Sequence, residues 1–261
     1  MLRPPVARRR SAARIAFATI AALAACTWSA AAPADDLLLQ ARAHDAQLEA
    51  REALAAYLEV EKQQPDNADV CVGIARQYRH LMVDASSPVE KLKLGNLAVA
   101  YGRKAAKLAP SNSDAQLSCA ISYGKMVPLL GNKEQVAVSH LVKQGAERAI
   151  KLNGRNDLAW HILGRWHRNV ANVSSVKRAL SSVIYDKLPD ATNEEAVRCL
   201  ETAVRINPKR LMHHIELGRA YAQMGREADA RRTLQTGLSM PVVEKDDASM
   251  KALGRETLKT L

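Results

Sequence analysis

One phrase recurs through this 261-residue chain, with drift and insertions, and it limits the fold more than any other feature. It reads Ala56-Tyr57-Leu58-Glu59-Val60 … Pro65-Asp66-Asn67, then Ala105-Ala106-Lys107-Leu108-Ala109-Pro110-Ser111-Asn112. It returns as Ala149-Ile150-Lys151-Leu152-Asn153-Gly154 and last as Ala203-Val204-Arg205-Ile206-Asn207-Pro208. Each copy is followed by a new apolar helical stretch. A unit that cannot bury its apolar face alone must stack on its neighbours, and stacked helical units form an array. Such an array offers an extended surface for holding a partner rather than a closed catalytic pocket.

Pro65, Pro110, Gly154 and Pro208 mark the ends of second helices, because proline cannot continue the hydrogen-bond ladder. Asp66, Ser111 or Ser113, and Asn156 or Asp157 are the expected caps of the helices that follow. The landmarks lie 45, 44 and 54 residues apart, against about 34 for a plain tetratricopeptide repeat. The extra length is expected between the two helices of a hairpin, at 80–88, 125–133 and 169–193. The longest insertion holds an amphipathic basic stretch, Val176 to Tyr185, that either packs over its hairpin or touches a membrane or partner. In the last unit Leu217, Gly218 and Tyr221 belong to a first helix, Gly225 to the turn, and Ala230, Leu234 and Gly237 to a second helix ended by Pro241. The expected fold is all-α: a right-handed superhelical array of about five tetratricopeptide-like helical hairpins plus a C-terminal capping helix over 244–261.

Composition agrees. Aromatic residues make up 4% of the chain and the one Phe is Phe17, so the core must come from Leu, Ala, Val and Ile. Ala-rich faces let helices approach closely. The net charge is +11, but residues 1–34 hold five Arg and no acid, so the rest of the chain carries +6. With no long Lys/Arg run in that part and few aromatic platforms, nucleic-acid binding is not expected. Cys71, Cys119 and Cys199 are far apart at apolar helix positions and read as buried reduced thiols.

The chain therefore divides into an N-terminal signal or targeting segment, 1–34, and a repeat domain, 35–261. Met1 to Arg14 is basic and Ile15 to Ala25 is apolar but short for a membrane span. Ala32-Pro33-Ala34 fits an export cleavage site. Leu23-Ala24-Ala25-Cys26 resembles a lipobox that would lipidate Cys26. Export to the periplasm, soluble or as a membrane-anchored lipoprotein, is the first expectation. The alternative is a mitochondrial or cytoplasmic, microtubule-associated chain.

Trp160-His161-Ile162-Leu163-Gly164-Arg165-Trp166 is followed by a long insertion with Lys177-Arg178, then by Glu195-Ala196-Val197 … Ala203 … Asn207-Pro208. With Leu217-Gly218-Arg219-Ala220-Tyr221 and Leu238-Ser239-Met240-Pro241, this order resembles the regulator of microtubule dynamics proteins. The resemblance runs from about Ala53 to the C-terminus and is most specific over Trp160 to Pro241. It implies a tetratricopeptide-like fold and a non-enzymatic binding protein, with microtubules as partner only if the chain is cytosolic.

First helices of such hairpins line the concave face. In register, the second hairpin points Arg76 and Arg79 inward, the third Leu117, Ile121 and Lys125, the fourth His161, Arg165 and Arg168, and the fifth Ile215 and Arg219. Guanidinium groups grip carboxylates and phosphates by paired hydrogen bonds. The expectation is a basic groove floored with aliphatic patches that binds a partner protein or acidic peptide. A lipid-binding or membrane-associated module, with acyl chains on the aliphatic patches, is a second reading. Trp160 and Trp166 read as core. His213 and His214 are adjacent, face different ways and make a poor metal pair. The chain has no phosphate-cradling Gly loop, no His-Glu-x-x-His, no nucleophile elbow and no Cys-x-x-Cys. No catalysis, cofactor or metal is expected.

Overall fold

A computed structural model describes residues 33–173 and 190–261. Residues 1–32, which hold Cys26 and nearly all of the expected targeting segment, and the basic stretch Val176 to Tyr185 lie outside the described residues. Eleven α-helices follow one another among the described residues. They are α1 (Ala34–Ala46), α2 (Ala50–Gln63), α3 (Ala68–Asp84), α4 (Pro88–Leu108), α5 (Ser113–Met126), α6 (Asn132–Leu152), α7 (Asp157–Ala171), α8 (Asn193–Ile206), α9 (Leu211–Gln223), α10 (Glu227–Ser239) and α11 (Asp247–Lys259). Paired in order, the first ten make five hairpins, and α11 closes the array. They pack as one unit, Ala32–Leu261. Each hairpin packs on its neighbours in sequence, so the core is a chain of small clusters rather than one centre.

The local chemistry explains the hairpins. Within the last two, glycine brings the helices together: a Cβ on Gly164 would lie 2.6 Å from Leu200 Cγ, and one on Gly218 would lie 2.5 Å from Leu234 Cγ. Gly225 turns the chain between α9 and α10 at φ +70°, a conformation that glycine adopts without steric cost.

Three expectations change. The caps after the proline landmarks are asparagines. Asn67 accepts from the N–H groups of Asp69 and Val70, and Asn112 from those of Asp114 and Ala115. Asn156 accepts from Ala159 N–H, as expected. Asp66, Ser111 and Ser113 sit one residue out of phase with that role. At the first two insertions the extra length, expected between helices, is mostly helix: α3 runs on to Asp84, and α4 and α6 have 21 residues each, while most of the third, 169–193, lies outside the described residues. Only residues 85–87 separate α3 from α4. At the C-terminus the capping helix begins at Asp247, and residues 241–246 form a non-helical lead-in.

Candidate functional site on the first-helix face

Helices α3, α5, α7 and α9 pack side by side, and their shared face holds the residues expected to line the groove. Each cation there has a partner within the chain, and the kind of partner differs along the face.

Arg76 is exposed and pairs with Asp45 of α1 at 2.6 Å. Arg79, one turn on, is buried. Its Nη1 donates to Ser118 O and Oγ at 3.3 Å and to Ser122 Oγ at 3.1 Å. Among the described residues no carboxylate stands within ion-pair distance of it. Burial, and then the charge on Arg76, push its pKa down to about 10. A guanidinium held by neutral oxygens alone is an incompletely compensated buried charge.

Lys125, near the end of α5, pairs with Asp246 at 2.6 Å. Burial lowers its pKa, and Asp246 works in the opposite direction. On α7 and α9, Arg165, Arg168 and Arg219 converge on Glu216, which is fully buried. Arg219 Nη1 donates to Oε1 at 3.1 Å, while the Nε atoms of Arg165 and Arg168 lie 3.3 and 3.0 Å from the carboxylate without hydrogen-bond alignment. Burial pushes the Glu216 pKa up; Arg168, Arg165 and Arg219 pull it down, and the arginines win.

His161 does not reach the groove surface. It is buried, and its Nδ1 lies 3.0 Å from Nδ1 of His213, whose Nε2 lies 2.9 Å from Asp157 Oδ2. If Nε2 of His213 donates to Asp157, neutral His213 accepts at Nδ1 and His161 donates there. Burial lowers both histidine pKa values, consistent with this neutral chain. Burial opposes the charge on Asp157, but the His213 hydrogen bond and the Arg210 guanidinium at 2.7 Å hold its pKa at about 2. His214 turns away and bonds Pro208 O at 2.8 Å.

Three consecutive residues cross this face. Glu244 pairs with Arg210, the residue before α9, at 2.7 Å. Lys245 pairs with Asp84 at the end of α3 at 2.8 Å. Asp246 completes the set on Lys125. We call residues 241–246 the strap. Asp247 fixes its shape, accepting the N–H groups of Val243 and Glu244 at 2.9 and 2.8 Å.

The acids Asp45, Glu216, Glu244 and Asp246 do not emerge from the sequence reading. Glu216 carries a signal, standing three residues before Arg219 on one helix face. The strap carries none, since Lys125 and Asp246 are 121 residues apart. The aliphatic floor also differs: Leu117 and Ile215 are buried in packing, so neither offers an acyl chain a surface. Trp166 is core, as expected, and donates to Ser139. Trp160 is half-buried and lines a surface cleft of about 440 Å³ with Arg198, Glu201, Thr202 and Arg205.

A family profile described as Regulator of microtubule dynamics protein 1-3 matches residues 34–261. The chain belongs to this family. It is 25% identical over 206 residues to Regulator of microtubule dynamics protein 1 of Caenorhabditis elegans, covering 78% of this chain and 91% of that protein. It is 25% identical over 175 residues to Regulator of microtubule dynamics protein 2 of Mus musculus, covering 67% of this chain. That match spans 43% of the mouse protein's length. A thermophilic TPR protein of Thermus thermophilus shares the fold: TM-score 0.62, 15% identity, 87% of this chain and all of that one. The all-α tetratricopeptide-like array is therefore established. The relatives also correct the expected location. Animal proteins named for microtubule dynamics point away from a periplasmic protein or lipoprotein, and the export reading, with lipidation of Cys26, is withdrawn.

Proposed function

We propose that this regulator of microtubule dynamics family member is a non-enzymatic scaffold whose first-helix face grips an acidic segment of a partner protein. The observation that carries the reading is Arg79, buried and held by serine and carbonyl oxygens alone. Around it, Arg76, Lys125, Arg165, Arg168 and Arg219 share Asp45, Asp246 and Glu216. With Arg79 counted, these cations outnumber their carboxylates two to one. A carboxylate brought in by a partner supplies the missing counter-charge. Arg76, Arg165, Lys125 and Arg219 are the accessible contacts; Arg79, Arg168 and His161 shape the face from beneath.

The test is fluorescence anisotropy of a labelled oligoglutamate peptide titrated with the full chain. Arg76→Gln with Arg165→Gln should weaken binding by about tenfold, since each exposed ion pair is worth roughly 0.2–1 kcal/mol. Raising salt from 0.1 to 1 M shortens the screening length from about 10 to about 3 Å and should weaken it further. Binding that ignores both changes rejects the reading. Charge reversal at Arg168 is not a clean test, because it would bury a second carboxylate against Glu216.

A second reading comes from the family. Its members are named for microtubule dynamics, and we extend to this chain the capture of a microtubule component by the same face. Co-sedimentation with polymerised microtubules should be lost in the Arg76→Gln, Arg165→Gln variant. A chain that never pellets removes this reading and leaves the first in place.

A further inference from the structure

We infer that the strap, residues 241–246, is a tethered competitor: Asp246 occupies Lys125, a cation that an acidic partner would grip, Glu244 anchors the strap on Arg210 beside it, and capture of the partner displaces the strap. The inference rests on the groove reading above and adds its regulation.

Four observations carry it. The strap lies on the proposed binding face, with its contacts on α3, on α5 and at the start of α9. Its carboxylates are the chemistry expected of the partner, and Asp246 already sits on Lys125. It is held by charge rather than by apolar burial: Val242 and Val243 are 54% and 57% exposed, while all three cross-face contacts are ion pairs. Contacts of this kind exchange readily for equivalent ones, whereas a buried apolar anchor would not. Finally, the strap is preformed. Pro241 follows the end of α10, and Asp247 ties the Val243 and Glu244 amides, so little entropy is lost when it docks.

A tethered ligand acts at an effective concentration of about millimolar. A free acidic segment must outcompete it. A partner that offers more carboxylates than the strap reaches Arg76, Arg165 and Arg219 as well, and so gains contacts the strap does not make. Weak acidic ligands are excluded and strong ones admitted.

The experiment uses the full chain and the labelled oligoglutamate. Glu244→Gln with Asp246→Asn keeps the strap but removes its carboxylates, and should tighten peptide binding about tenfold. Lys245→Ala loosens the strap's hold on Asp84 without touching a groove carboxylate, and should tighten binding to a smaller degree. It also serves if the double variant fails to fold. An independent readout is trypsin cleavage after Lys245, followed by mass spectrometry. Saturating oligoglutamate should accelerate cleavage there severalfold in the wild-type chain. If oligoglutamate binds wild type and variants equally, or binds without accelerating the cut, the competitor role is wrong and the groove reading stands. If neither wild type nor the strap variants bind it, the groove reading falls and takes the competitor role with it.

Discussion

Glu216→Gln removes the carboxylate on which Arg165, Arg168 and Arg219 converge. At 3.0 Å, with an effective dielectric of about 20, one such pair attracts by roughly 5 kcal/mol before desolvation is counted. Desolvation cancels much of that, yet breaking a buried pair from one side still costs about 3–5 kcal/mol, because the other charge stays buried and unpaired. Arg168, only 7% exposed, takes most of the loss. Arg165, at 36%, regains water and contributes little. For a chain of this size about 1 kcal/mol moves the midpoint by roughly 2–4 °C, so circular-dichroism melts at neutral pH should show a fall of about 10 °C. The pH dependence checks the cause. Glu216 has a folded pKa below its ordinary value. Its contribution is therefore present above the unfolded carboxylate pKa, about 4.3, and disappears as pH falls through the folded value. The gap between wild type and variant should close in that acid window. Pairing Glu216→Leu with Arg168→Met should cost less than either change alone. A Glu216→Gln midpoint within about 2 °C of wild type would refute the buried cluster as a source of stability.

Three further outcomes are expected. Asn156 caps α7 and also donates to Ser113 Oγ and Asp114 Oδ1, both at 2.8 Å; Asn156→Ala should cost about 2 kcal/mol in denaturant titrations, against about 1 kcal/mol for Asn67→Ala. Gly218→Ala drives a methyl group into Leu234 and should cost about 1–3 kcal/mol, with recovery when Leu234 is shortened to Val; an unchanged midpoint contradicts the close approach. Burial holds the pKa of His80 near 4 and lowers those of His161 and His213. These groups favour the folded state above the unfolded histidine pKa and less so as pH falls below about 6.5. Melting midpoints should thus decline from pH 7 toward 4.5, and a flat profile speaks against neutral buried histidines.

What is legible in the sequence is what is local. Apolar spacing, the proline landmarks, Gly218, Gly225 and the cap at Asn156 act within one hairpin, and each is written within a few residues of where it acts. Asp66 reads as a cap because Asp and Asn are nearly equal in that role; helix phase alone selects Asn67. The added length of the first two insertions reads as loop because a plain consensus has no room for it, whereas α4 and α6 absorb it by lengthening. The groove cations are legible as positions but not as paired charges. Their partners come from other repeats: Asp45 for Arg76, Glu216 for Arg165 and Arg168, and Asp246 for Lys125. Pairings at such separations leave no periodic trace.

A stack of hairpins with loose ends extends like a coil spring, and can fray from either tip because each unit leans only on the next. Here the last segment is fastened to the second and third hairpins through Lys245–Asp84 and Asp246–Lys125. Pulling the strap away from those hairpins loads these two links, and separating the end of the last hairpin from them must break both. The coil is buckled, and its stiffness depends on salt.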